Sequence, residues 1–363
     1  MPQVAASGLA TSSTVRVPAA AAVYSGIMKR NAAITISIGV TLVSLCALTV
    51  SACTSFAVTS ERTLYGMNFD YPPNVIRFSI EDHASGAVFL GEFLMDDFWA
   101  RTVGMNEHGL FASNQMVYPA RATVEEPAPD EVYIWDAFYS GLSECRSVEG
   151  ALAWIGNRRV VQYPSLQLHN LFADPSGNAV VLECGHTENV ITEIEGPFLV
   201  MTNYHNGDFR GIPLDEIAGV GAERYQVAYR TIEENLNGFD IDDAFDVLRR
   251  SAQSTGDYKT RYSLVFDPAA LQVYIALERD YDHIWRASLH DRTIEMYRGF
   301  SRQLLLPLGE DGVTGPTLQQ LVRAVGPETE RVARGVWWPL LVAGAIVLLG
   351  VGLFFALGPF WAP

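Results

Sequence analysis

Between residues 54 and 277 the chain is dominated by short runs that either alternate apolar and polar side chains or are continuously rich in β-forming residues. Such alternation marks strands with one buried face. The two patterns predict strands over 54–58, 75–80, 87–93, 109–116, 168–173, 179–182, 198–202, 263–266 and 271–277. Turn clusters such as "DPSGN" and "DPAAL" separate them. The period lengthens to that of a helix in "EVYIWDAFYSGLSECRSVEGALAWI", "GAERYQVAYRTIEENL" and "DIDDAFDVLRRSA", with Ser147 placed as an N-cap. Strands outnumber helices, and helices come in groups between strand runs. That order favours a layered α+β domain over a doubly wound parallel sheet.

The two ends follow other patterns. Residues 1–27 carry one charge, Arg16, and no sustained period. Met28-Lys29-Arg30 then opens a positive stretch, followed by an apolar run from about 33 to 50 and small residues just before Cys53. This is the pattern of a signal peptide, so 1–52 reads as an extension plus a leader that is removed. At the other end, 336–360 is a stretch of about 25 uncharged residues with Trp337, Trp338 and Trp361 at its edges. It reads as a transmembrane helix, with 53–305 as the globular domain and 306–335 as a linker. The expectation is an exported chain held at the cell surface, its membrane contact made by the C-terminal helix.

Composition narrows the function. The 25 Lys and Arg against 41 Asp and Glu, net −16 over 363 residues, leave no basic surface for nucleic acid. Cysteines at 46, 53, 145 and 184 form no CxxC pair, and the histidines show no metal-ligand spacing. No metal and no cofactor is expected. Pairing of Cys145 with Cys184 would leave Cys53 free; the alternative is that all three are inert buried thiols.

Cys53 has a further property. A cut after Ala52 would give it a free α-amine with a reference pKa near 7.7, beside a thiol near 8.5. Nucleophile and base would then share one residue.

The surrounding residues carry a resemblance. "CTSFAV" and "LYGMNFDY" are followed in order by "GMNEHGLFAS", "LVMTNYH", "ERYQVAYR" and "YSLVFDPAALQVYIAL", spread over most of 53–277. This series resembles the choloylglycine hydrolase and penicillin V acylase family of N-terminal nucleophile hydrolases. The resemblance implies an αββα four-layer sandwich, here with a C-terminal transmembrane helix added. It also implies hydrolysis of a linear N-acyl amide through a thioester on Cys53. Matched residue by residue, Asp70 falls where the family orients the N-terminal amine, and Asn203 on its oxyanion-hole asparagine. Arg224 falls on the family arginine near the nucleophile. Asn114 is the candidate for a second oxyanion or substrate contact, reached by a shift of local register from Met116. One position departs: Met67 stands where the family's "GRNFDY" has arginine. Phe93, Phe98 and Trp99 are candidates for an acyl pocket.

Two other readings stay open at this point. Val50-Ser51-Ala52-Cys53 also resembles a lipobox, which would make Cys53 a lipid attachment site on an inactive, membrane-tethered binding protein. An acyltransferase or lipid amidase of the same fold would keep the nucleophile and change the acceptor or the acyl group. The expected partner is a small N-acylated amide; homo-oligomerisation is left open.

Overall fold

The computed structural model describes residues 53–324. Eighteen strands occupy Thr54–Thr59 (β1), Thr63–Asp70 (β2), Ile76–His83 (β3), Gly86–Met95 (β4), Phe98–Asn106 (β5), Phe111–Met116 (β6), Glu131–Tyr133 (β7), Arg159–Val161 (β8), Leu168–Ala173 (β9), Ala179–Cys184 (β10), Asn189–Glu193 (β11), Phe198–Met201 (β12), Thr260–Asp267 (β13), Gln272–Leu277 (β14), Asp280–Ser288 (β15), Thr293–Arg298 (β16), Leu305–Pro307 (β17) and Val313–Thr314 (β18). Five α-helices span Ile134–Glu144 (α1), Val148–Ile155 (α2), Ala222–Glu234 (α3), Ile241–Arg250 (α4) and Gly315–Ala324 (α5).

Two large antiparallel sheets result. The first runs β12-β1-β2-β13-β14-β15-β16-β17, and the second β11-β10-β9-β6-β5-β4-β3-β18. Alternation along each strand sends one set of side chains between the sheets and the other set outward. Tyr65, Phe78, Phe89, Phe111, Tyr262, Phe266 and Trp285 fill the layer between the sheets. The outer face of the second sheet is covered by α1 and α2 through Phe138, Leu142, Ala151 and Ile155. The outer face of the first sheet is covered by α3 and α4 through Ala228, Ile232, Phe245 and Leu248. Each fully buried side chain of this size contributes about 1.5–3 kcal/mol.

Local chemistry fixes the helix ends. Ser147 caps α2 by accepting from the Gly150 N–H at 3.1 Å, the role its sequence position predicts. Asp240 and Asp243 form a reciprocal capping box at the start of α4.

Two expectations are corrected. The fold class included a C-terminal transmembrane helix, and the localisation placed the chain at the cell surface on that anchor. The stretch 336–360 lies outside the described residues, and no helix among them is long and apolar enough to cross a membrane. The longest, α3, has 13 residues, which is about 20 Å against a hydrocarbon core of about 30 Å. The described fold is instead mostly antiparallel sheet with short helices. Second, residues 306–324, expected in a linker, carry the end of β17, then β18 and α5. Of the two readings left open for the cysteines, buried free thiols are what Cys145 and Cys184 are. The leader at 1–52 also lies outside the described residues.

Candidate active site

Cys53 is the residue before β1, and its side chain, 3% exposed, belongs to the layer between the sheets. β1 lies between β12 and β2. These two neighbours therefore carry residues that close around Cys53: Asp70 ends β2, and Asn203 follows β12 by two residues.

Asn203 is fully buried and is bonded on both sides of its amide. Its Oδ1 accepts from the Cys53 backbone N–H at 2.9 Å and from Arg224 Nη2 at 2.7 Å. Its Nδ2 donates to the Met116 carbonyl at 2.7 Å. An amide nitrogen has two hydrogens, so one bond to Met116 leaves a second N–H.

Arg224 reaches the site from the first turn of α3. Its Nη1 donates to the Cys53 carbonyl and, at 3.2 Å, to Thr54 Oγ1. The same nitrogen lies 3.9 Å from Asp70 Oδ2. Gly221, at φ +84°, makes this approach feasible: a Cβ there would sit 2.7 Å from Arg224 Nη2. Asp70 is fully buried, and its Oδ1 accepts from Thr260 Oγ1 at 2.5 Å.

The electrostatics are those of a thiol held protonated near neutrality. Burial, then the charge of Asp70, push the Cys53 thiol up to about 12; a hydrogen bond to the Asp70 backbone and the Arg224 charge act the other way. Burial also raises the Asp70 carboxyl to about 7, against the opposing pull of Arg224, Thr260 and Arg279. Burial pulls the Arg224 guanidinium below its usual value, while Asp70 and Cys53 hold it up. Three ionisable groups thus share one desolvated site and bias one another.

Four of the five predicted site residues therefore converge: Cys53, Asp70, Asn203 and Arg224. Asn114 does not join them. β6 pairs with β9 in regular register from Phe111 to Met116, so the proposed slip is absent. Asn114 shares the face of Ala112, which packs in the helix-covered layer, and its opposite number Asn170 donates to the Ile134 carbonyl of α1. A shift of one residue exchanges faces, and it is the next residue, Gln115, that points toward β1. With its amide oxygen facing Ser55, Gln115 accepts from the Ser55 N–H at 3.0 Å and donates to the Thr202 carbonyl at 3.1 Å.

Met67 is fully buried in the same inter-sheet layer as Cys53, opposite Ser55 on β1 and Leu264 on β13. Of the aromatic candidates, Phe93 stacks near Phe69 and Tyr71, with ring centroids 5.3 and 4.6 Å away. Trp99 lies under the Arg77 guanidinium, and Phe98 is half-exposed. Sequence reading missed Thr260 and Gln115. A threonine paired across two distant strands leaves no local signal. Among the described residues no cluster of His, Cys, Asp or Glu could hold a metal ion.

No family model and no curated protein matches the chain. Solved structures do. A mutant of the conjugated bile acid hydrolase from Clostridium perfringens is similar at a TM-score of 0.52 and 16% identity, over 68% of this chain and 96% of that one. A second variant of the same enzyme gives 0.52 at 17% identity, over 68% and 97%. Penicillin V acylase from Agrobacterium tumefaciens gives 0.52 at 15% identity, over 67% and 90%. At such identity the fold is what is shared, and over about two thirds of its length this chain has the fold of the choloylglycine hydrolase and penicillin V acylase enzymes.

Proposed function

We propose that this chain is a hydrolase of linear N-acyl amides that uses Cys53 as an N-terminal nucleophile. One observation carries the reading: the backbone nitrogen of Cys53 is held by Asn203 Oδ1 at 2.9 Å, with Arg224 on the same oxygen and Asp70 3.9 Å from that guanidinium. A built cradle around a backbone nitrogen has a chemical purpose if that nitrogen becomes an amine. The neighbours in fold act on a conjugated bile acid and on penicillin V by name, which supports amide cleavage here.

In this reading the chain is cut between Ala52 and Cys53. The freed α-amine takes the thiol proton, and the thiolate attacks the carbonyl carbon of the substrate amide. The second N–H of Asn203 meets the charge that develops on the carbonyl oxygen. Collapse of the tetrahedral species breaks the C–N bond, and the departing amine takes the proton from the Cys53 ammonium. Water then attacks the thioester, with the α-amine again as base, releasing the acid and restoring the thiol. Arg224 stays charged throughout and favours the thiolate.

The test is a screen of N-acyl amides with the protein whose N-terminus has been mapped by mass spectrometry. Hydrolysis that falls at least about 1000-fold in Cys53→Ser supports the reading. An unchanged rate in that variant, or a lipid adduct on Cys53, defeats it.

A further inference from the structure

A second buried polar cluster lies behind Asn203, on the other sheet. Glu183 of β10 and His169 of β9 are fully buried, and His205, in the turn after β12, is 2% exposed. Glu183 Oε1 accepts from the Asn206 N–H at 2.9 Å and Oε2 from the Gly207 N–H at 2.8 Å. His169 Nδ1 lies 3.2 Å from Glu183 Oε1, and its Nε2 lies 2.6 Å from the Thr202 carbonyl. His205 Nδ1 is 3.4 Å from the same Oε1, and its Nε2 is 2.8 Å from the Pro119 carbonyl. Both Nε2 atoms face carbonyl oxygens, which only accept, so each carries a proton.

These contacts share one target. Thr202 precedes Asn203, Asn206 and Gly207 follow it, and all three are bound to Glu183 directly or through His169. The Asn203 carbonyl accepts from the Tyr118 N–H at 2.9 Å, and Tyr118 precedes the Pro119 that His205 holds. A single buried carboxylate therefore fixes the backbone on both sides of the amide that grips the Cys53 nitrogen. Burial alone would raise Glu183, yet the His169 bond, the nearby His205 ring and the Gly207 N–H bring it down to about 2. It is an ionised hub, and charge-assisted bonds of this kind are the strong ones. A core that needed only apolar filling would not bury it.

We infer that Glu183, with His169 and His205, is a positioning device that holds Asn203 against the nucleophile, linking the second sheet to a site built on the first. Its place in catalysis rests on the amidase reading above, but its hold on the Cys53 neighbourhood can be read without turnover.

The experiment uses the full chain as purified, with Glu183→Gln. Glutamine keeps the volume and turns one acceptor into an NH2 group facing N–H donors. Labelling of each thiol by iodoacetamide is followed by mass spectrometry, and kcat and KM are measured on a hydrolysed N-acyl amide. The expected result is labelling of Cys53 faster by about tenfold, the scale of one charge-assisted bond lost from local closure. Cys145, in the helix-covered layer, keeps its rate. On the same preparation kcat falls on the order of 100-fold, the scale of a misplaced reacting group, while KM stays within about twofold. Cys53 and Cys145 rising together would mean a weakened fold and overturn the proposal. So would unchanged Cys53 labelling with unchanged kcat. If the wild type hydrolyses no amide while the variant still frees Cys53 alone, the device stands and the amidase reading falls. Should Glu183→Gln fail to fold, His205→Gln keeps a donor toward Pro119 and removes the ring that packs against Glu183 at 3.4 Å; the same pattern in smaller measure is expected, and Cys53 labelling equal to wild type overturns the proposal.

Discussion

Asp70 carries a conflict between stability and chemistry. Its carboxyl titrates at about 7 in the fold against 3.8 as its ordinary value. The folded state therefore holds its proton more tightly than the unfolded state. Below pH 3.8 both states are protonated and nothing is lost; as pH rises toward 7 the fold loses stability, by about 4 kcal/mol once the group is ionised. Asp70→Asn removes this titration and keeps an acceptor for Thr260. The expected outcome is a higher Tm than wild type at pH 8, no gain at pH 4, and loss of amide hydrolysis. A lower Tm at pH 8 would show that the Arg224 charge needs the carboxylate more than burial penalises it. Met67 makes the opposite point. From sequence, arginine there promises a more reactive thiol, but the side chain sits fully buried in the apolar layer between the sheets. An added guanidinium must be desolvated, so Met67→Arg is expected to cost about 3 kcal/mol or more in urea unfolding. Wild-type stability in that variant would mean that the site already holds a partner for the charge.

The elements that hold the nucleophile were only partly legible. All nine predicted strands fall on observed ones, because β-branched and apolar residues keep a strand legible even where, as in β9 and β10, every position is buried. β2, the strand that ends in Asp70, was recognised as a motif and not as a strand. Its "TLYGMNFD" buries both faces, so glycine and asparagine interrupt any alternation. β5 and β15 were missed for a related reason: arginine and aspartate within them break the apolar pattern. The glycine in β2 has a specific cause. Gly66 lies opposite Phe56 on β1, and a Cβ on it would fall 2.3 Å from the Phe56 ring. Phe56 is a fully buried side chain of the α3 and α4 layer, so the ring has little room to turn away. Gly66→Ala is therefore expected to push β1 from β2, destabilise by about 1–3 kcal/mol and lower kcat through displacement of Cys53. Thermal unfolding beside steady-state kinetics checks this, and wild-type values in both would show that the ring moves freely.

At the scale of the whole molecule, sequence order hides what brings the site together. Cys53 and Asn203 are 150 residues apart, and Cys53 and Arg224 171; the residues alone gave this grouping through family resemblance, with no spacing rule behind it. The Glu183 network gave no signal, since it joins β9 and β10 of the second sheet to the turn after β12 of the first. The fold gathers Asn203, Arg224 and Asp70 beside a nitrogen that, in the full chain, is an ordinary peptide N–H following Ala52. With the peptide intact, burial and Asp70 leave Cys53 at about 12, so little thiolate exists near neutrality. A cut before Cys53 would place an ammonium on the same residue, and a cation within about 4–6 Å lowers an acid by roughly 1–3 units. The expected outcome is a downward shift of that size in the pH midpoint of Cys53 alkylation, comparing the chain that begins at Cys53 with the chain in which Ala52 is retained. Cys184, also pushed up to about 12 by its own burial, serves as the control that does not move. Equal midpoints for Cys53 in the two chains would separate processing from activation and leave the cradle around its nitrogen without a catalytic role.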